Sequence, residues 1–279
     1  MTNPTGHRLV VENLTKRYGD NTVVDDLSFT AEPGRVTGFL GPNGSGKSTT
    51  LKIMLDLAGA DHGSASIGMQ RYRDLVDPSS VVGAMIESDA FHPGRSGCNH
   101  LRIIADASGI AHHRVDELLD EVGLAKAAKR QVGGYSLGMR QRLGLAAALL
   151  GEPPVLILDE PGNGLDPEGI RALRDRLRQH AATGGTVLVS SHLLTEVEHL
   201  ADDVIVINDG RLVTSGPLAE LQHSASLVRT TDVARLGEVL QAAGATVEKR
   251  GTDGLVVGRL PIDEIGERAF AAGIAIHEL

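Results

Sequence analysis

At 279 residues, with 41% hydrophobic and 23% charged content, the chain has room for one large α/β domain and a smaller appendage. Its 36 acidic against 27 basic residues give a net charge of −9, which excludes a nucleic-acid binder held by phosphate contacts. A single cysteine, Cys98, excludes an intramolecular disulfide framework, and no apolar run reaches the roughly twenty residues of a membrane span.

The N-terminal stretch from Met1 to His7 has no apolar signal core, so a cytoplasmic location is expected, with any membrane role exerted through a partner. Residues 8–35 read as β-rich. Leu9-Val10-Val11 and Thr22-Val23-Val24 are β-branched or apolar runs separated by the turn-forming Tyr18-Gly19-Asp20-Asn21. Tyr18 could stack on a purine face or sit half-buried between strands. Val36 to Leu40 is a short buried strand, and Ser48 to Leu55 continues as a helix.

Between strand and helix lies Gly41-Pro42-Asn43-Gly44-Ser45-Gly46-Lys47-Ser48-Thr49, which fits G-x-x-x-x-G-K-[ST]. A loop that wraps a polyanion must turn tightly with its N–H groups inward, and glycines allow that turn. The helix N-terminus adds its partial positive charge. Lys47 supplies a mobile charge for the outer phosphates, and the Ser48 hydroxyl can hold Mg²⁺. Nucleotide binding follows.

Further along, Val82 to Glu87 reads as a buried strand ending in a carboxylate, and helices are expected over 99–108, 114–122 and 138–150. The glycine stretch at Gly133-Gly134 before Tyr135-Ser136-Leu137-Gly138-Met139 is a second potential anion site at a helix start. Val155-Leu156-Ile157-Leu158 is an apolar strand that ends in Asp159-Glu160. In a phosphate-loop protein the first acid orients Mg²⁺ and the second polarises an attacking water. A turn through Asp166-Pro167, a helix over 168–181 and the strand Thr186 to Ser190 follow. His192 stands at that strand's C-terminal edge, where α/β ligand sites form. Val204 to Ile207 and Arg211 to Val213 form a hairpin around Asn208-Asp209-Gly210. Residues 224–279 read β-α-β-β-α-β, the split arrangement of small ferredoxin-like units. They could dimerise, regulate or simply pack.

With the phosphate loop, Tyr135-Ser136-Leu137-Gly138-Met139, Asp159-Glu160, Gly164-Leu165-Asp166 and His192 in this order, the chain resembles the ATP-binding subunits of ABC transporters over roughly residues 8–222. The resemblance implies an α/β P-loop NTPase fold: a RecA-like core, an antiparallel β subdomain and a helical subdomain, followed here by an α+β ferredoxin-like appendage over 224–279. It implies ATP and Mg²⁺ as cofactors. Tyr18 becomes the adenine-stacking aromatic, Gly41 to Thr49 the phosphate cradle, and Ser48, Glu87 and Asp159 the metal edge. Glu160 becomes the catalytic base, and His192 the histidine that contacts the γ-phosphate. Two such domains close head to tail, so Ser136, Leu137 and Gly138 of one copy cap the nucleotide of the other, and Asp166 couples the two sites. The partners implied are a second ATP-binding subunit, as a homodimer, and a separately encoded membrane permease. Membrane contact is then made through the permease, at the inner face of the cell membrane.

Two departures matter. Leu137 stands where most members have a glycine, whose backbone freedom leucine cannot copy. Glu87 stands where most have glutamine; a carboxylate can ligate Mg²⁺ but adds negative charge beside the triphosphate. This variant is similar to the ATPases of bacitracin- and lantibiotic-type exporters that give drug resistance or self-protection. A P-loop kinase would leave Ser136 to Gly138 and His192 unexplained. The alternative within the family is a soluble ATPase with a regulatory, non-transport role. The DNA-repair form needs a long heptad insertion, which the chain lacks.

Overall fold

The computed structural model describes residues 6–86, 91–222, 226–258 and 260–278. The chain divides into two compact units, Met1–Ser215 and Gly216–Leu279.

In the first unit, strands β1 (Leu9–Tyr18) and β2 (Asn21–Ala31) form a hairpin. β3 (Val36–Leu40) leads into helix α1 (Lys47–Met54), and β4 (His62–Ile67) returns to pair antiparallel with β1. A short α2 (Pro78–Val81) precedes β5 (Val82–Met85). Three helices follow: α3 (Gly97–Ala107), α4 (His112–Glu121) and α5 (Leu137–Leu149). Then come β6 (Val155–Asp159), α6 (Pro167–Ala182), β7 (Thr186–Ser191), α7 (Leu194–Glu198), β8 (Asp203–Asn208) and β9 (Arg211–Pro217).

The sheets sort by sequence pattern. β3 and β7 are buried along their whole length and β6 up to its last residue, as expected of central parallel strands covered on both faces. They lie in a six-stranded sheet of order β5-β6-β7-β3-β8-β9, parallel from β5 through β8. The hairpin from β8 to β9 turns at Asp209 (φ 47°) and Gly210 (φ 77°), two consecutive positive φ values that match the right-handed twist of the strands. β1 continues past Val11 because Asn13 (φ 46°) marks a register shift between Val11 and Leu14 that breaks the period-two pattern.

The helices α3, α4 and α5 share a core of Leu101, Val115, Leu118, Leu119 and Leu143. Ser96 caps α3 by accepting from the Asn99 N–H at 3.2 Å. The segment after Phe91 is laced to the one before Tyr135: Val132 N–H donates to the Arg95 carbonyl at 2.8 Å, and Cys98 N–H to that of Ala128 at 2.8 Å.

In the second unit, α8 (Leu218–Gln222) is followed by β10 (Ser226–Thr230), α9 (Val233–Ala242), β11 (Thr246–Arg250), β12 (Gly254–Gly258), α10 (Ile262–Ala271) and β13 (Ile276–Glu278). The antiparallel order β11-β12-β10-β13 is that of a ferredoxin-like sheet. It has its own core of Val228, Leu236, Leu240, Leu255, Val257 and Ile265. The last strand begins two residues later than Ile274, where the sequence pattern starts it. Gly273 (φ 69°) caps α10, and Ile274, with its N–H on the Ala269 carbonyl at 2.9 Å, is buried as part of that cap.

Candidate active site

The turn from β3 into α1 carries the phosphate loop. Gly46 enters the helix at φ 100°, a left-handed backbone that glycine adopts without strain. The loop is seated on its neighbours: Gly210 N–H donates to the Ser45 carbonyl at 3.1 Å. Lys47 is buried, and its ammonium donates to the carbonyls of Gly41 at 2.6 Å and Pro42 at 3.1 Å. Burial pulls its pKa below the ordinary lysine value, an effect partly offset by the negative charges of Glu160 and Asp159. Pro42, Asn43, Gly44 and Ser48 are exposed, Thr49 is half-buried, and Thr50 ties its hydroxyl to the Gly46 carbonyl at 2.9 Å.

β6 delivers the two acids to the same place. The buried Ser190 hydroxyl on β7 donates to the Asp159 carboxylate and accepts from the Glu160 N–H at 2.9 Å, so one side chain joins both acidic residues. Glu160 has a φ of 47°, uncommon for a residue with a side chain. Its Oε1 lies 3.9 Å from Lys47 Nζ. Its Oε2 lies 3.1 Å from His192 Nδ1 and accepts from Asn163 Nδ2 at 2.6 Å. Lys47, Asp159, Glu160 and His192 therefore form one cluster, to which the structure adds Ser190 and Asn163. Sequence reading passes over both: Ser190 looks like the end of a buried strand, and Asn163 like a turn residue between two glycines. An amide three residues after an acid, inside a turn, is the signal that could have found Asn163.

A second cluster gathers around α5. Ser136 caps the helix, accepting from Met139 N–H at 3.3 Å. Leu137 opens α5 in a backbone with negative φ, so the leucine meets no strain at its position. The tight position is Gly138, where a Cβ would lie 2.7 Å from the Gly164 carbonyl. Leu137 packs on Gly164, and Asp166 caps α6 by accepting from Gly169 N–H at 2.8 Å. Gln141 stands between the clusters, its Nε2 at 3.5 Å from the Glu160 carbonyl. Tyr18 ends β1, 53% exposed, with Lys16 Nζ 5.1 Å from its ring centroid; the rest of the site is built without it. Glu87 lies outside the described residues. Beside the end of β5 runs a groove of about 530 Å³ whose lining includes Leu57, Tyr72, Ile86, Phe91 and His100.

A glycine-rich loop between a buried parallel strand and a helix, with a lysine facing two acids across the sheet, defines a P-loop ATP-binding cassette. Comparison with known proteins agrees. A family model described as ABC transporter matches residues 24–163, and a second, described as a domain of unknown function, matches residues 224–279. An uncharacterized ABC transporter ATP-binding protein, YhcH of Bacillus subtilis, is 43% identical over 208 residues, covering 74% of this chain and 68% of that protein. The bacitracin transport ATP-binding protein BcrA of Enterococcus faecalis is 41% identical over 213 residues, covering 75% and 69%. The lantibiotic transport ATP-binding protein SrtF of Streptococcus pyogenes is 38% identical over 207 residues, covering 74% and 89%. A solved structure of an ATP-binding subunit of an ABC transporter superposes with a TM-score of 0.69 at 28% identity, covering 94% of this chain and 99% of that one. The chain belongs to the ABC transporter family.

Proposed function

We propose that this chain is the ATP-hydrolysing subunit of an exporter, paired with a second cassette and driving a separate membrane permease that removes antibiotic or lantibiotic-like compounds. The names of the relatives BcrA and SrtF support the export of such compounds. Residues 8–222 form the catalytic cassette and 224–279 an accessory domain. Among the described residues no helix is long and apolar enough to cross a membrane, so the permease supplies the span and holds the chain at the inner membrane face. The groove lined by Leu57, Tyr72 and Phe91 is mostly apolar; we assign it to the permease.

The reading rests on one observation: the Glu160 carboxylate sits between Lys47 of the phosphate loop and His192 of β7's exit. The N–H groups of the loop and the N-terminus of α1 receive the triphosphate, and Lys47 turns from the Gly41 and Pro42 carbonyls to the outer phosphates. Ser48 and Asp159 would hold Mg²⁺, offering a hydroxyl and a carboxylate, the hard oxygen donors that suit it. An ion held there would supply positive charge to offset the charge that builds on the phosphates. Glu160 takes a proton from the attacking water, and His192 holds the γ-phosphate side. Tyr18 supplies a stacking face for the adenine. Ser136, Leu137 and Gly138 close over the nucleotide of the opposite copy, and Asp166 links the two sites. The Glu160→Gln variant tests this. Mg-ATP binding is expected to persist while hydrolysis falls by about 10²–10⁴. Hydrolysis at the wild-type rate would remove Glu160 from the base role.

A further inference from the structure

Glu160 Oε2 is held by two groups of different chemistry. His192 Nδ1 stands 3.1 Å away on the exit from β7, and Asn163 Nδ2 stands 2.6 Å away on the turn that follows the acid itself. Oε1 faces the other way, 3.9 Å from Lys47 Nζ. An imidazole can act on Oε2 only as a donor, and its hold ends if the ring turns toward a phosphate oxygen. A primary amide carries its donor at every pH and has no competing proton to give up.

We propose that Asn163 is a positioning residue for ATP hydrolysis: its amide fixes Oε2 of Glu160 so that Oε1 stays aimed at the water that attacks the γ-phosphate, also when His192 is engaged elsewhere. The proposal rests on Glu160 acting as the base. The local backbone already closes the turn without the amide, because Asn163 N–H donates to the Glu160 carbonyl at 3.2 Å and Leu165 N–H to that of Gly162 at 3.1 Å. The side-chain bond is therefore surplus to the turn, and its acceptor is the carboxylate.

The test compares Asn163→Ala, Asn163→Asp and Glu160→Gln with wild type in steady-state Mg-ATP hydrolysis, read as kcat and KM, alongside ATP affinity and melting temperature. Asn163→Asp keeps the shape but replaces the donor with a second anion. The expected result is a fall in kcat of roughly ten- to a hundredfold for both Asn163 variants, with ATP affinity kept within about twofold. Hydrolysis near wild type, or a slower rate with weakened ATP binding or a lowered melting temperature, overturns the proposal in favour of a turn-forming residue. An active Glu160→Gln would instead overturn the base itself, and the two failures are told apart by that control.

Discussion

The Tyr135 hydroxyl donates to the Ala127 carbonyl at 2.7 Å and fills the space above Gly97, where a Cβ would fall inside its van der Waals contact. The ring is 4% exposed, so it fastens the residue before Ser136 to the start of α3. Tyr135→Phe should cost about 1 kcal/mol, or roughly 2–4 °C in the melting temperature of the unit that carries it. Gly97→Ala should cost roughly 1–3 kcal/mol by overpacking. The double variant should lose less than the sum, because phenylalanine removes the atom the new methyl meets; differential scanning calorimetry of the four proteins measures the coupling.

The bonds from Lys47 to the Gly41 and Pro42 carbonyls hold the ammonium inside its own loop. A triphosphate gives that charge a better partner, so saturating ATP should stabilise the first unit by about 2.7 kcal/mol at a hundred times its Kd. In Lys47→Ala the thermal shift on adding ATP should vanish. A full shift in that variant would place the nucleotide elsewhere.

His180, in the last turn of α6, has its pKa lowered mainly by burial, with the nearby Arg176 acting in the same direction. Burial and Arg95 act likewise on His100 of α3. For both, the folded chain favours the neutral ring, so the unfolded chain takes up protons first as the pH falls below about 6.5. Stability present above that pH should decline below it until the folded rings protonate too. Melting temperatures at about pH 7.5 and 5.5 should differ less in His180→Gln than in wild type, with the remaining slope carried by His100.

Where a feature is local in sequence, it could be read from the residues. Val36 to Leu40, Val155 to Leu158 and Thr186 to Ser190 are runs dominated by apolar and β-branched residues, and each lies in a buried parallel strand. The split β-α-β unit was legible for the same reason, and the turn at Asp209-Gly210 names its own backbone. The site's inner wiring was not. Ser190 reaches Asp159 across 31 residues of chain, and only the pairing of β6 with β7 brings them together. Asn163 was hidden by its turn composition, and the extent of β1 by the irregularity at Asn13. The tight spot beside Ser136 falls at Gly138 and not at Leu137, because α5 has already begun at the leucine.

Glu160 stands at φ 47°, a conformation costing a residue with a Cβ about 1–2 kcal/mol relative to the right-handed region. With Glu160 as the proposed base, stability and turnover pull this position in opposite directions. A glycine would relax the backbone but delete the carboxylate held by Asn163 and His192, while glutamine keeps the backbone cost. The backbone cost at Glu160 is thus tied to the contacts its carboxylate makes, and any engineering of this protein's stability has to begin elsewhere in the chain.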